Sequence, residues 1–145
     1  VFVIDTNVLV YAADRDSRFH GPSRQQLETA RRGSDAWYLT WNICYEFLRV
    51  VTHPQVLRQP WTIGSAWDFL EALFASPSLG ILQATERHAS VAAAVIHELP
   101  HLAGNLLHDA HTAMLMREHG IRRIYTRDTD FHRFAFLEPI DPAAG

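Results

Sequence analysis

The sequence predicts an α/β fold built on a mostly parallel sheet with helices on both faces. Three features point to it. Short strand-like runs recur at Val1–Ile4, Ala36–Leu39, Gly80–Gln83 and Arg122–Thr126. Longer segments whose apolar residues fall at helical spacing separate them. Strands alternating with helices place crossovers on both faces of a sheet and so favour parallel pairing.

In chain order, Val1–Ile4 is a buried strand ending at Asp5, and Thr6–Ala13 is helical. Arg18–Arg32 is polar with spaced apolar positions, a surface helix closed by Gly33. Ala36–Leu39 is the second strand. Thr40 caps a helix over Trp41–Thr52, which stops at His53-Pro54 because the residue before proline is driven out of the helical region. Thr62–Ala75 is a helix with Ile63, Ala66, Trp67, Leu70 and Leu73/Phe74 as its apolar stripe. Gly80–Gln83 is the third strand, and Glu86–Leu99 a helix ended by Pro100. His101–Asn105 is a loop, Leu106–His119 a helix closed by Gly120, and Arg122–Thr126 the fourth strand. Arg127–Phe134 is a short turn or helix, and Phe136–Ile140 an edge strand.

The 145 residues suffice for one domain, expected to span 1–145. A chain of this size buries about 68–70% of its unfolded surface, so no disulfide or structural metal is needed. The single cysteine, Cys44, has no partner for an internal disulfide and falls on the apolar side of its helix, as an inert core residue does. No apolar run approaches membrane-span length and no secretory pattern opens the chain, so a cytoplasmic protein away from membranes is expected. All 13 basic residues are arginine. The absence of lysine excludes a P-loop, which needs a lysine on the phosphates, and Schiff-base chemistry, which needs the amine. Gly-x-Ser-x-Gly is absent, so serine hydrolysis has no support. The net charge of −3 is not the footprint of a phosphate binder, unless part of it is an acidic cluster whose bound cations cancel it.

Four acids stand out from the sixteen because their surroundings are apolar or small, the fourth being Asp128 or Asp130. Asp5 ends a buried strand, where a carboxylate is costly unless paired, hydrogen-bonded or metal-bound; the plainer role is a helix cap. Glu46 shares a polar stripe with Asn42, Arg49 and His53; taken alone, a solvent face with a Glu46–Arg49 ion pair is the reading to prefer. Asp109 stands near the start of its helix, where the dipole favours an acid in any case. Asp128 and Asp130 follow the fourth strand, with the Thr126 hydroxyl beside them; one of the two could be a turn or cap residue. In parallel sheets ligands bind outside the carboxyl ends of the strands, where strand order reverses. If the first and fourth strands are neighbours, Asp5 and Asp128 face one crevice. Converging acids without Cys or Lys suit Mg²⁺ or Mn²⁺ and not Zn²⁺. His108-Asp109 invites a His-Asp metallohydrolase reading, but no earlier histidines are placed to complete it. His108, His111 and His119 are therefore expected at the surface or beside the site.

Val3-Ile4-Asp5-Thr6-Asn7-Val8-Leu9-Val10-Tyr11, Asp109-Ala110 opening a helix, and Thr126-Arg127-Asp128-Thr129-Asp130-Phe131 together resemble PIN-domain nucleases. Glu46-Phe47-Leu48-Arg49-Val50-Val51-Thr52-His53-Pro54 and Gly104-Asn105-Leu106 are similar to stretches of the VapC toxins of bacterial toxin–antitoxin pairs, in their mycobacterial-type branch. The resemblance spans nearly the whole chain. It implies a PIN-like fold with strand order 3-2-1-4-5 and metal-dependent endoribonuclease activity. It implies a homodimer and inhibition by a VapB-type antitoxin. It implies catalytic acids at Asp5, Glu46, Asp109 and Asp128, with Asp5 and Asp109 as principal Mg²⁺ ligands, for which Mn²⁺ can substitute. Thr6, Asn7 and Thr126 would support the site, with Asp130 as an extra acid. It assigns no role to Trp41-Asn42-Ile43-Cys44. The aromatic content, four Trp and eight Phe, exceeds what one small core readily hides and agrees with a subunit or partner interface, although Trp61 and Trp67 could equally pack under the loop after Pro60.

Two other classes stand against this reading. A haloacid-dehalogenase-type phosphatase also begins with a strand ending in Asp, but wants a second Asp two residues on, where Asn7 stands, and a Lys, of which there is none. A PIN module that has lost catalysis and only binds RNA or protein would not need all four acids.

Overall fold

The computed structural model describes residues 1–144. Five strands, β1 (Phe2–Ile4), β2 (Trp37–Leu39), β3 (Leu79–Ile81), β4 (Arg123–Tyr125) and β5 (Glu138–Ile140), form one parallel sheet in the order β3-β2-β1-β4-β5. Six helices accompany them: α1 (Thr6–Ala13), α2 (His20–Arg32), α3 (Trp41–Val51), α4 (Ile63–Phe74), α5 (His88–Glu98) and α6 (Leu106–Glu118). A 3₁₀ turn covers Thr129–Arg133. Both the α/β class and the strand order agree with expectation. The chain winds outward from β1 through β2 to β3, then returns to lay β4 on the other side of β1. Strand order therefore reverses between β1 and β4.

The central strand is buried throughout, with Val3 and Ile4 fully inaccessible, which is why it is a continuous apolar run rather than an alternating one. The register pairs Val3 with Ile124 and Ile4 with Tyr125, and Asp5 N–H continues the ladder to the Tyr125 carbonyl at 3.0 Å. That last bond holds the first residue after β1 level with the end of β4. On one face, Phe47 of α3 stacks on Phe69 of α4 (centroids 5.0 Å apart, 18° between planes), and Trp61 packs edge-on against both. Trp61 is thus partly buried against the core, whereas Trp67 stays 38% exposed, edge-on to Phe74.

Several ends move by a residue or two. The second helix begins at His20 rather than Arg18, because the Ser17 hydroxyl accepts from Phe19 N–H in a turn. The third strand is Leu79–Ile81 rather than Gly80–Gln83. Gly80 earns its place by contact: a Cβ there would lie 2.8 Å from the Tyr38 ring on β2. Gly120 closes α6 as expected, at φ +70°, with Ile121 N–H bonded to the Met116 carbonyl at 2.8 Å. Gly33 does so differently. Its backbone is not left-handed, and a Cβ would meet the Thr29 carbonyl oxygen at 2.9 Å. Cys44 is buried and apolar-walled, its thiol pushed up to about 12 by burial, in accord with an inert role.

Replacing Gly120 by alanine forces an L-residue into the left-handed region and is expected to cost about 1–2 kcal/mol. Urea denaturation measures it; an unchanged midpoint would show that the turn relaxes to another conformation.

Candidate active site

Asp5 is both a cap and a cleft residue. Its Oδ1 accepts from Thr6 N–H at 2.8 Å, the capping bond of α1. Its Oδ2 takes the Thr126 hydroxyl at 2.7 Å and the Asn7 amide at 3.1 Å. The Thr126 hydroxyl is then fully used: it donates to Asp5 and accepts from Asn7 Nδ2 (3.2 Å) and from Asp128 N–H (2.9 Å). Asn7 Oδ1 closes the ring by accepting from Arg127 N–H at 3.1 Å. The N-terminus of α1 and the segment after β4 are thus stitched together around one buried carboxylate, at the point where strand order reverses.

Asp109 enters from the first turn of α6, whose Ala110 and Ala113 are fully buried against the rest of the molecule. Carboxylate oxygens of Asp109, Asp128 and Asp130 all lie within 4.8 Å of one another. Asp128 also caps the 3₁₀ turn, accepting from Asp130 N–H at 2.9 Å, and Asp130 pairs with Arg133 at 3.3 Å. Of the two acids that sequence left as alternatives, both reach the cluster. Glu46, on the exposed side of α3, comes within 3.4 Å of the Thr6 hydroxyl and only loosely meets Arg49, at 3.9 Å. Glu46 thus lines the cleft and also meets Arg49, and that exposed ion pair is weak. Asp5, Glu46 and Asp109 line a cleft of about 250 Å³, together with Asn42, Tyr45, Arg49 and His108. Asp109 is common to this cleft and to the three-aspartate cluster, so it joins the two groups of acids.

The electrostatics record the crowding. Burial pushes the Asp5 carboxyl up to about 6, against the hydrogen bonds from Thr126 and Thr6; the charges of Glu46 and Asp128 add to the rise. Asp109 is pushed up to about 7, first by burial and then by Asp128 and Asp5. All donors in the cluster are carboxylate oxygens, with no sulfur, a set that fits a hard divalent cation and relieves the mutual repulsion.

One acid was missed by sequence reasoning. Glu118 is fully buried near the end of α6 and accepts from Thr85 N–H at 2.5 Å, from the Thr85 hydroxyl and from His88 Nδ1 at 2.6 Å. Burial alone would raise its carboxyl, but these hydrogen bonds hold it down at about 2. It ties the connection between β3 and α5 to α6 and lies outside the cleft-lining set. Nothing in its sequence context, Met-Arg-Glu-His, distinguishes it from a solvated helix end. The histidines fall beside the site rather than in the cluster: His111 Nδ1 accepts from the Asn42 amide at 2.6 Å, His119 meets the Gln83 carbonyl at 2.7 Å, and His108 lines the cleft.

The sequence and the fold have counterparts among known proteins. Residues 2–137 match the PIN domain. Ribonuclease VapC48 of Mycobacterium tuberculosis is 34% identical over 141 residues, covering 97% of each chain, and ribonuclease VapC37 of the same organism is 33% identical over 142 residues, covering 98% of this chain and 97% of that one. The crystal structure of Mycobacterium tuberculosis VapC20, described as a sarcin-ricin loop cleaving toxin, superposes with a TM-score of 0.68 at 17% identity over 95% of this chain and 98% of that one. FitAcB from Neisseria gonorrhoeae superposes with a TM-score of 0.68 at 18% identity over 99% of both chains. The chain belongs to the PIN-domain family, in its VapC group. Among the described residues, no helix is long and apolar enough to cross a membrane.

The raised carboxyls set the sign of a pH effect. Asp5 and Asp109 bind protons in the folded state near pH 6–7 that the unfolded chain takes up only near 3.8. Through these two groups the metal-free protein is expected to gain stability as the pH falls from about 7 toward about 4. Glu118 acts oppositely and lower, its contribution being lost as the pH falls from about 4.5 toward 2. Thermal melts in EDTA, with the Asp109→Asn variant as control, measure this; a parent whose melting falls in step with that variant between pH 7 and 5 would contradict it.

Proposed function

We propose that this chain is a Mg²⁺-dependent endoribonuclease, in which Mn²⁺ can substitute. In this reading it is the toxin half of a type II toxin–antitoxin pair, acts in the cytoplasm and is silenced by a VapB-type antitoxin. The observation that carries the reading is the all-oxygen cluster at the reversal of strand order, in a chain about one-third identical over nearly its full length to proteins named VapC ribonucleases. Asp5 and Asp109 would be the principal metal ligands, with Asp128 completing the cluster, Glu46 facing it across the cleft and Asp130 as an additional acid. When bound, the divalent ion supplies charge neutralisation at the phosphodiester and acidifies a water.

The chain's own groups do the positioning. Thr126 and Asn7 hold Asp5 Oδ2 in one orientation, and Thr6 N–H holds Oδ1, so the carboxylate cannot rotate away from the cleft. Glu46, exposed and next to Thr6, is free to accept a proton from an attacking water at the cleft's open side. Arg49, 68% exposed on the same wall, can meet a substrate phosphate without first breaking a strong ion pair. A phosphatase using Asp5 as nucleophile fits poorly, since Asn7 stands where that chemistry needs a second Asp and no lysine is present. A binding module without catalysis would leave the acid cluster without a task; calorimetric titration with Mn²⁺ separates the two, since such a module binds none in the cleft.

Asp5→Asn is expected to abolish cleavage, by at least about a hundredfold, while leaving the fold intact and the metal-free melting temperature equal or higher. Cleavage of single-stranded RNA with Mg²⁺ at the parental rate would reduce Asp5 to a helix cap and sink the mechanism.

The exposed Trp67, Ile96 and Leu107, away from the cleft lining, support a homodimer with a further surface for an antitoxin. The structural relatives include VapBC2 from Rickettsia felis bound to a promoter DNA fragment. Light scattering at micromolar concentration is expected to give about twice the 16.5 kDa chain mass; a clean monomer would remove the dimer and leave the nuclease reading standing.

A further inference from the structure

Tyr45 and Trp41 stand out on α3 because they are aromatic, exposed and next to a site meant for a polyanion. Tyr45 is 62% exposed and lines the acidic cleft; Trp41 is 39% exposed and lines the adjoining groove. That groove, about 170 Å³, opens beside the cleft and shares Asn42 with it as a common wall. Its floor is apolar, from Leu82 and Leu115, both buried. Trp41 forms one side. The ring is backed by the edge of Phe74 (5.8 Å, 68°) and tilted toward Tyr45 (6.2 Å, 35°), so its position is set by packing while part of its surface stays open. The Asn42 amide donates to His111 Nδ1 at 2.6 Å, which orients the amide and leaves its oxygen, without a partner among the described residues, to accept a hydrogen bond.

A slot with an indole on one side, an apolar floor and an oriented amide at the edge matches a flat heterocycle with hydrogen-bonding edges. We propose that the groove walled by Trp41, Asn42 and His111 is a specificity pocket that seats one unpaired RNA base next to the phosphate held in the acidic cleft. This rests on the ribonuclease reading and adds to it the form of the substrate at the cut: single-stranded, with at least one base turned out of any stack. The electrostatics call for such a pocket. The cleft walls carry three carboxylates against one arginine, so beyond Arg49 and a bound cation the side chains add no Coulomb attraction for RNA. Base stacking on an aromatic ring is uncharged and supplies affinity the cleft lacks. Sequence-selective proteins read RNA by splaying out single-stranded bases, stacking them on aromatics and bonding their edges, and the Asn42 oxygen is placed for that edge contact.

The test compares the parent, Trp41→Ala, Trp41→Phe and Asn42→Ala on a single-stranded RNA of mixed sequence with Mn²⁺. Trp41→Ala is expected to lower kcat/KM about tenfold, mainly through KM, and Trp41→Phe to keep most of it. Asn42→Ala, at an exposed position with little risk to folding, is expected to shift which base lies beside the mapped cuts. The rise in melting temperature caused by Mn²⁺ is expected to be the same in parent and Trp41→Ala, which separates a lost base contact from a damaged metal site or fold. Absence of cleavage by the parent would remove the ribonuclease reading and the pocket with it. Parental cleavage matched by Trp41→Ala in rate and cut positions would overturn the pocket alone, and the same result with loss of the dimer would assign Trp41 to a protein interface instead.

Discussion

The hydrogen bond from the Thr126 hydroxyl to Asp5 is the contact on which the arrangement of the cleft depends. Asp5 is a carboxylate at the end of the most buried strand of the sheet, where charge is least welcome. One hydroxyl, one amide and one backbone N–H make it tolerable, and each comes from a segment that must also be positioned: Thr126 from the end of β4, Asn7 and Thr6 from the start of α1. The same bonds that offset the desolvation of Asp5 therefore fix the separation of β1 and β4 at their carboxyl ends. They also position Asp128 in the three-aspartate cluster beside the cleft, because its N–H is bonded to that same hydroxyl. Removing the hydroxyl would loosen the geometry of two acids at once.

Those bonds do not cancel the repulsion. Asp5 and Asp109 both remain above ordinary carboxylates, even though Asp5 is surrounded by donors. Asp109 gains the dipole of α6 but sits where both groups of acids meet. The fold can hold this frustrated cluster because the surrounding core is dense: Phe47, Phe69 and Trp61 on one face, and Phe131 and Phe134 beneath the turn that carries Asp128 and Asp130. Phe131 is buried within that same 3₁₀ turn and anchors it, so the two aspartates are held by apolar packing rather than by their own interactions, which oppose their approach.

The fold was legible because its signals were local. Each strand is a short run flanked by breakers, and the strand order followed once the motifs resembled a known family. Asp5, Asp109 and Asp128 were legible because each ends a strand or begins a helix, where a carboxylate in apolar company is conspicuous. Glu46 was less so, since its stripe with Arg49 reads more readily as a solvent face, and in the structure it both lines the cleft and meets Arg49 in a loose ion pair. Glu118 was not legible. Its burial depends on Thr85 and His88, about thirty residues away in the chain, and no local pattern encodes that meeting. Gly33 shows the same limit on a smaller scale: the residue type was noticed, but the reason, close approach to the Thr29 carbonyl rather than a left-handed turn, exists only in three dimensions.

The aromatic residues divide along the same line between local and tertiary information. Composition said only that there were more of them than one core readily hides. In the fold, Trp37, Phe47, Phe131 and Phe134 are buried, whereas Trp41, Tyr45 and Trp67 are not. Trp41 and Tyr45 both lie on α3, four residues apart and hence on one face of the helix, with Asn42 and Glu46 each one position further along. One helix thus presents a carboxylate to the acidic cleft and aromatic rings to whatever lies beside it. Its N-terminus is pinned by the Thr40 cap, bonded to Ile43 N–H at 3.1 Å, and its inner face by buried Ile43, Cys44 and Phe47. The outer residues therefore keep a fixed spacing relative to the acids of the cleft.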